Sequence, residues 1–321
     1  MRAVGVAAVI VFLHSQGYVR GSSGSSLALS RGWYYLLLDL SLGLVTAVSA
    51  HSLMLSRRRA GEGTLGEYIR KRIVRIWPLY AAALTLFVAV WFRHETVEWY
   101  LAQYLCLGMF FSGFVGEPVT TLWYAQLQIV YSLFAGVAFA LGNSRTRRVV
   151  LAASVAALAA WCLVPGLGDE RLVLYIPAYL VGFGVASDSR LTRYATPLFI
   201  AGIVAAAGVL SLAVGGERLV VLVLRAMVPA LVYPFVMRIG SVFDSIGTGR
   251  WLRIIAQATF SAYLFHRLVL SGMRRIIQPT EPVIAFLVYS VVGLVLSFAV
   301  GWAVQASYDF VVRALSQRGR A

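Results

Sequence analysis

The stretch "PVIAFLVYSVVGLVLSFAVGWAV", residues 282–304, decides the fold class, because it runs for 23 positions without a charged residue. An apolar run of about 18 or more residues is typical of a helix that crosses a lipid bilayer. Lipid offers the backbone no hydrogen-bond partner, whereas a helix satisfies its backbone groups internally. The stretch therefore predicts a transmembrane helix.

The same composition extends over the whole chain. Of the 321 residues, 60% are hydrophobic and 13% are charged, whereas a soluble domain has about 45–50% apolar and about 25% charged residues. The sequence therefore predicts an all-α, polytopic membrane bundle of about ten transmembrane helices. We expect one domain over residues 1–321 and no additional soluble domain. The predicted apolar cores are 3–17, 33–54, 77–93, 99–116 or 120–141, 149–165, 172–186, 196–214, 219–237, 253–272 and 282–304.

The net charge of +15 has a topological interpretation. Most cations fall in short loops between apolar runs, and such loops stay in the cytoplasm. This pattern predicts a multi-pass protein of the cytoplasmic membrane with both termini in the cytoplasm. We therefore expect membrane lipids to be partners of the protein, and the positive charge does not indicate nucleic-acid binding. Cys106 and Cys162 show no metal-ligand spacing, and we expect neither a metal site nor a bound cofactor.

Two histidines inside predicted spans are the leading candidates for chemistry, because ionisable groups in a membrane are costly. His14 and His266 each lie about twelve to fourteen residues from the cytoplasmic start of their helices, or roughly 20 Å deep. We expect the two rings to meet. Histidine is the usual general base near neutral pH. The alternative is that each ring makes only a structural hydrogen bond between helices.

Other ionisable residues are weaker candidates. Asp39, His51 and Arg225 lie within predicted spans, whereas His94 falls in an outer loop, where a solvated surface role is expected.

The segment "EYIRKRIVRIWPLY", residues 67–80, concentrates cations immediately before an apolar run. It can act as a topology signal, as an anchor to anionic lipid or as a phosphate-binding site. Arg72 and Arg75 share a helix face, and guanidinium groups match phosphate oxygens. We expect an amphipathic helix on the inner membrane surface, with Pro78 opening the next span. The residues alone favour the anchor.

Five segments stand out in order along the chain: "RAVGVAAVIVFLHS" (2–15), "YIRKRIVRIWPLY" (68–80), "TLWYAQLQIVYSLF" (121–134), "IPAYLVGFGVA" (176–186) and "FSAYLFHRLVL" (260–270). Together they resemble the membrane-bound acyltransferase 3 family, which transfers acyl groups, usually acetyl, to sugars and related acceptors.

The resemblance implies a bundle of about ten spans that takes an acyl-CoA donor from the cytoplasm. It implies that His14 is catalytic, that Arg72 and Arg75 contact the donor's phosphates, and that Arg2 supports them. His266 would orient His14 or the acceptor. The chain also departs from the family. Eleven residues separate Arg2 from His14 instead of the usual ten, which turns Arg2 by about 100° around the helix.

Two further departures concern side-chain chemistry. Ser49-Ala50-His51 replaces the family's Ser-Gly-Phe, and Gln128 replaces its acid. The predicted function is an O-acyltransferase, in its commonest form an O-acetyltransferase, acting on a carbohydrate or glycolipid of the cell envelope. The alternatives are a transporter or flippase of a glycan or lipid-linked precursor, and a membrane scaffold subunit.

Overall fold

A computed structural model describes residues 2–15, 18, 31–60, 64–92, 94–119, 121–140, 144–164, 166–212, 217–243 and 250–318. Every regular element within these ranges is helical. The α-helices are α1 (Arg2–Ala8), α2 (Arg31–Ala60), α3 (Leu65–Trp91), α4 (Val97–Tyr104), α5 (Ser112–Val115), α6 (Trp123–Ala140), α7 (Ser144–Leu163), α8 (Arg171–Leu174), α9 (Ile176–Ser187), α10 (Ala195–Leu212), α11 (Arg218–Phe243), α12 (Arg250–Ile276), α13 (Pro282–Leu287) and α14 (Gly293–Arg318).

Three further helical segments have a different pitch. Val9–His14 and Val288–Val292 are π-helical, and Ser189–Tyr194 is a 3₁₀-helix. Each π-helical segment continues directly from the α-helix before it, so α1 and α13 are extended by a wider turn.

Within the described ranges, five helical segments are long and apolar enough to cross a membrane, judged by length and composition. They are Trp33–Arg58, Leu65–Trp91, Arg190–Leu212, Arg218–Gly240 and Pro282–Leu315. The chain is therefore a helical membrane protein. The count of about ten spans stays a prediction.

The chain forms two compact units, and the first comprises Met1–His51 and Pro177–Ala321. In this unit α12 packs along α14, and α10 packs along α11. Small residues allow close approach between membrane helices. A side chain at Gly301 would collide with the backbone of Ala262, and one at Gly182 would collide with the backbone of Ala47.

The second unit comprises Ser52–Ile176, where α3 packs against α6. Thr64 begins α3, because its side chain accepts a hydrogen bond from the Glu67 amide at 3.2 Å. A buried amide network also ties three segments together. The Gln126 side chain donates to the Tyr80 hydroxyl at 2.8 Å and to the Gln103 side-chain oxygen at 2.7 Å.

Two local expectations differ from the structure. Pro78 does not open a new span after a surface helix, because α3 runs through it without interruption. A membrane helix tolerates proline when neighbouring groups compensate for the lost hydrogen bond. The sequence left 99–116 and 120–141 as alternatives for one span. Most of the second range is a single continuous helix, since residues 123–140 form α6. Residues 99–116 are instead broken into α4, turns and α5.

Candidate active site

The two histidines predicted to lie at matched depth are in direct contact within the first unit. His14 Nδ1 lies 2.5 Å from His266 Nε2. The ring planes differ by only 8°, and their centroids are 4.7 Å apart. A face-to-face stack does not bring two ring atoms this close, so the rings meet through nitrogens at their edges. His14 is 8% exposed and His266 is fully buried.

A backbone carbonyl determines where the protons of this pair lie. His266 Nδ1 is 2.6 Å from the carbonyl oxygen of Tyr263. A carbonyl can only accept, so His266 Nδ1 carries a hydrogen and donates it. In a neutral imidazole the other nitrogen is then an acceptor. His266 Nε2 therefore accepts from His14 Nδ1.

The same reasoning assigns the hydrogen of His14 and therefore the state of its other nitrogen, Nε2. Neutral His14 has one hydrogen, and the contact with His266 places it on Nδ1. His14 Nε2 is left with a lone pair directed away from His266. Both rings are buried, and a buried charge without a partner is costly, which favours the neutral forms. The chain from the Tyr263 carbonyl through His266 thus leaves His14 Nε2 as a hydrogen-bond acceptor.

The backbone around His14 is held by two serines. Val11 lies in the first π-helical segment, and its carbonyl accepts a hydrogen bond from Ser15 Oγ. Ser290 Oγ, from the second π-helical segment, lies 3.0 Å from Ser15 Oγ and 3.3 Å from the Val11 carbonyl oxygen, and its single hydrogen is directed to these two acceptors. Single π turns are frequent at functional sites because they widen a helix and free backbone groups. Here they fix the last turn before His14.

The helix that carries His266 is anchored on its neighbour in the same unit. Ser261 Oγ donates to the Gln305 side-chain oxygen of α14 at 2.9 Å. Ala262 lies against Gly301, where no larger residue fits. Both contacts fall within two turns of His266 along α12. The serine of "FSAYLFHRLVL" therefore positions the histidine of the same segment.

Tyr18 supports α12 further along. Its hydroxyl lies 2.8 Å from Ser271 Oγ and donates to the Arg267 carbonyl at 3.3 Å. The Tyr18 ring is 5.7 Å from that of Tyr289, which belongs to a buried cluster with Leu270.

The predicted donor cations lie on α3, in the second unit. Arg72 is half-buried, and its guanidinium lies over the Tyr68 ring, 5.6 Å from the centroid. Tyr68 in turn packs on Gly136 of α6, where a Cβ atom would come within 2.8 Å of the Tyr68 ring. Arg75 is exposed one turn later. Arg72 is thus oriented by aromatic packing, whereas Arg75 is exposed on the helix surface.

Three other candidate residues lie within predicted spans: Asp39 and Arg225, which form an ion pair, and His51. Arg225 Nε donates to Asp39 Oδ2 at 2.6 Å, and its guanidinium lies 4.3 Å from the Tyr35 ring centroid. Asp39 and Arg225, both charged and both within predicted spans, thus neutralise each other in an ion pair. His51 is half-buried, with its ring 6.3 Å from that of Tyr233.

Three predicted positions contribute less. His94 is exposed in a turn, as expected for a solvated residue, and Gln128 is buried. Arg2 begins α1, but its side chain lies outside the described part of the structure. Among the described residues, no three His, Cys, Asp or Glu side chains form a group that could hold a metal ion.

Sequence reasoning missed three groups that lie in or beside the histidine pair. The Tyr263 carbonyl and Ser290 could not be found, because a hydrogen bond to a backbone oxygen leaves no mark in the sequence. Arg267 could have been found, since it is an ionisable residue inside the predicted span 253–272.

The fold and the site thus define a helical membrane protein with a buried histidine pair. The comparison with known families specifies this further: a model of the acyltransferase 3 family, described as an acyltransferase domain, matches residues 1–304. The chain belongs to that family and is an acyltransferase. No curated protein and no solved structure matches it significantly.

Proposed function

We propose that the protein is a membrane-bound O-acyltransferase, in its commonest form an O-acetyltransferase. It moves an acyl group from cytosolic acyl-CoA to a hydroxyl of a carbohydrate or glycolipid acceptor of the cell envelope. One observation carries this proposal: His14 Nδ1 lies 2.5 Å from His266 Nε2, and His266 Nδ1 lies 2.6 Å from the Tyr263 carbonyl oxygen. This chain supports a tautomer of His14 in which Nε2 carries no proton. A base is what a hydroxyl needs in order to attack a thioester.

The proposed step conserves atoms and charge. The acceptor oxygen attacks the thioester carbonyl carbon while His14 Nε2 takes the hydroxyl proton, and a C–O bond forms. The carbonyl oxygen becomes an oxyanion. When the intermediate collapses, the C–S bond breaks and the CoA sulfur takes the proton from His14 Nε2. The acyl ester and free CoA are the products.

His266 acts through His14 in this mechanism. It accepts the His14 Nδ1–H and thereby holds the ring in the tautomer that the reaction requires. The low exposure of both rings supports a site with little water, which limits wasteful hydrolysis of the thioester.

For the donor, we propose that Arg72 and Arg75 contact the phosphates of acyl-CoA, with Arg2 in a supporting role. The packing of Arg72 on Tyr68 supports this, because a guanidinium oriented in advance loses less freedom on binding. The predicted placement of this segment on the cytoplasmic side agrees with a cytosolic donor. We propose that the protein lies in the cytoplasmic membrane with both termini in the cytoplasm.

The test of the base is His14→Gln. This change removes the basic nitrogen and keeps a polar side chain of similar length. We expect transfer from radiolabelled acetyl-CoA to envelope material in membrane vesicles to fall by about 100-fold or more, the usual contribution of a general base. Membrane abundance and elution on size exclusion in detergent should be unchanged.

His94→Gln is the matched control, because His94 is an exposed histidine of the same chain. It should transfer at the rate of the unaltered protein. Full activity of a well-folded His14→Gln protein would exclude His14 as the base. The acceptor is identified separately by mass spectrometry of envelope glycans from a deletion strain, in which the loss of an acetyl mass is expected.

A further inference from the structure

Arg267 is a cation beside the histidine pair that the mechanism has not used. It follows His266 directly on α12 and is half-buried. Its backbone carbonyl accepts from Tyr18, but its Nε atom is buried and has no hydrogen-bond partner. The charge of Arg267 acts electrostatically on both His14 and His266.

Arg267 differs in this respect from two other partly buried arginines. Arg225 donates to Asp39, and Arg171 donates to Asp169. Within the described part of the chain, no carboxylate forms an ion pair with Arg267. A buried donor without an acceptor costs roughly 1–3 kcal/mol, and more when the group is charged. An anionic oxygen that arrives near the histidines would remove this cost.

We propose that Arg267 binds the oxyanion that forms on the thioester carbonyl during acyl transfer. The inference rests on the proposed function, because the oxyanion appears only when a hydroxyl deprotonated by His14 attacks the thioester. The new C–O bond pushes the carbonyl π-electron pair onto oxygen, and Arg267 donates a hydrogen bond to this negatively charged oxygen. That pair returns to carbon when the C–S bond breaks.

The surroundings suit this role. A donor aimed in advance at the developing charge, in a site with little water, is worth more than the same donor in solvent. Arginine also keeps its charge under all ordinary conditions, so it remains a donor throughout the reaction. Because it is the next residue after His266, one helix supplies both the group that orients the base and the group that meets the oxyanion.

The test is Arg267→Gln in the full-length protein, assayed with radiolabelled acetyl-CoA and native envelope acceptor in membrane vesicles. We expect the maximal rate to fall by about 100-fold, the usual loss of one oxyanion donor. The half-saturating concentration of acetyl-CoA should change little, because the contact exists only in the transition state. Arg267→Lys keeps the positive charge, so its maximal rate should lie between that of the unaltered protein and that of Arg267→Gln.

Two controls separate this role from a structural one. Arg275→Gln removes an exposed arginine about two turns further along the same helix, and it should leave the rate unchanged. Arg267→Ala should regain activity when a low concentration of guanidinium ion is added, whereas a misfolded protein would not recover.

The outcomes are distinguishable. An unchanged maximal rate in a folded Arg267→Gln protein overturns this proposal, and so does a raised half-saturating concentration with the maximal rate preserved. If Arg267→Gln does not fold, the test rests on the rate of Arg267→Lys and on the guanidinium rescue of Arg267→Ala. The proposal is overturned if Arg267→Lys retains the full rate and guanidinium ion restores no activity to Arg267→Ala. If His14→Gln is fully active, the proposed function fails instead, whatever Arg267 does.

Discussion

The first unit and the start of α3 in the second unit hold polar groups in opposite ways. In the first unit, His14 contacts His266 and Asp39 binds Arg225, all within an apolar interior. On α3, Arg70, Lys71 and Arg75 are exposed. A buried polar group must have its partner in the protein, since an unpaired one is costly.

This difference teaches how each region can work. The partners of a buried group fix its orientation and its proton before any substrate arrives. An exposed cation keeps its freedom, its contribution is screened by salt, and its partner is whatever ligand binds. Chemistry is therefore expected at the buried pair, and donor binding at the exposed helix. The following variants test that division.

The largest effect should come from His266→Leu. Without an acceptor at Nε2, the His14 ring is no longer held with its hydrogen on Nδ1, and His14 Nε2 is not reliably a base. We expect the maximal rate of acetyl transfer to fall by up to about 10⁴-fold, as when a catalytic histidine loses the group that fixes its tautomer. The measurement is transfer from labelled acetyl-CoA in membrane vesicles.

His266→Gln distinguishes orientation from simple packing. A glutamine amide oxygen can accept at about the place of His266 Nε2, so this variant should recover much of the rate lost in His266→Leu. Equal rates for the two variants, with both proteins folded, would show that the tautomer is not what His266 provides.

The next effect concerns the stability of the buried ion pair. Asp39→Leu leaves the Arg225 charge without its partner, because the carboxylate at 2.6 Å is removed. Removing one member of a buried pair costs roughly 3–5 kcal/mol. We expect a clear loss of thermal stability in detergent, followed by tryptophan fluorescence.

The double variant Asp39→Leu with Arg225→Leu should restore most of that stability, because no charge is then left unpaired. Arg75→Leu is the comparison on the exposed side, and its effect should stay within about 0.5 kcal/mol. If the double variant is as unstable as the single one, packing rather than charge explains the loss.

The smallest effect should come from Arg72→Ala combined with Arg75→Ala. We expect the half-saturating concentration of acetyl-CoA to rise about tenfold, which is about 1.4 kcal/mol, while the maximal rate is retained. The increase should shrink at high salt, since exposed charges are screened. The measurement is initial rate against donor concentration.

Arg70→Ala combined with Lys71→Ala removes the same charge from neighbouring exposed positions. It should leave the half-saturating concentration unchanged if Arg72 and Arg75 form a specific contact. Equal effects of the two double variants would mean that the segment acts only through its total charge, as a lipid anchor or topology signal does.

The sequence by itself determined the fold class and the identity of the central pair. Apolar runs such as 282–304 force a helix wherever they occur, since lipid leaves the backbone no alternative. Depth along a helix follows from a count of residues, which is why His14 and His266 could be expected to meet. The resemblance to the acyltransferase 3 family was confirmed by the family match.

Local patterns were less reliable where two rules compete. Pro78 suggested a break, but α3 continues through it. The apolar runs 99–116 and 120–141 were both possible spans, and only the second is largely one continuous helix, at residues 123–140.

Only the tertiary structure decided the proton positions and the unpaired cation. His14 and His266 are 252 positions apart, and the assignment of their hydrogens depends on a carbonyl that any residue at position 263 would carry. Arg267 stands out because its buried Nε has no hydrogen-bond partner, whereas Arg225 binds Asp39 and Arg171 binds Asp169. Sequence spacing sets which residues share a helix face, but partners on other helices determine which polar atoms are satisfied and which remain available to a substrate.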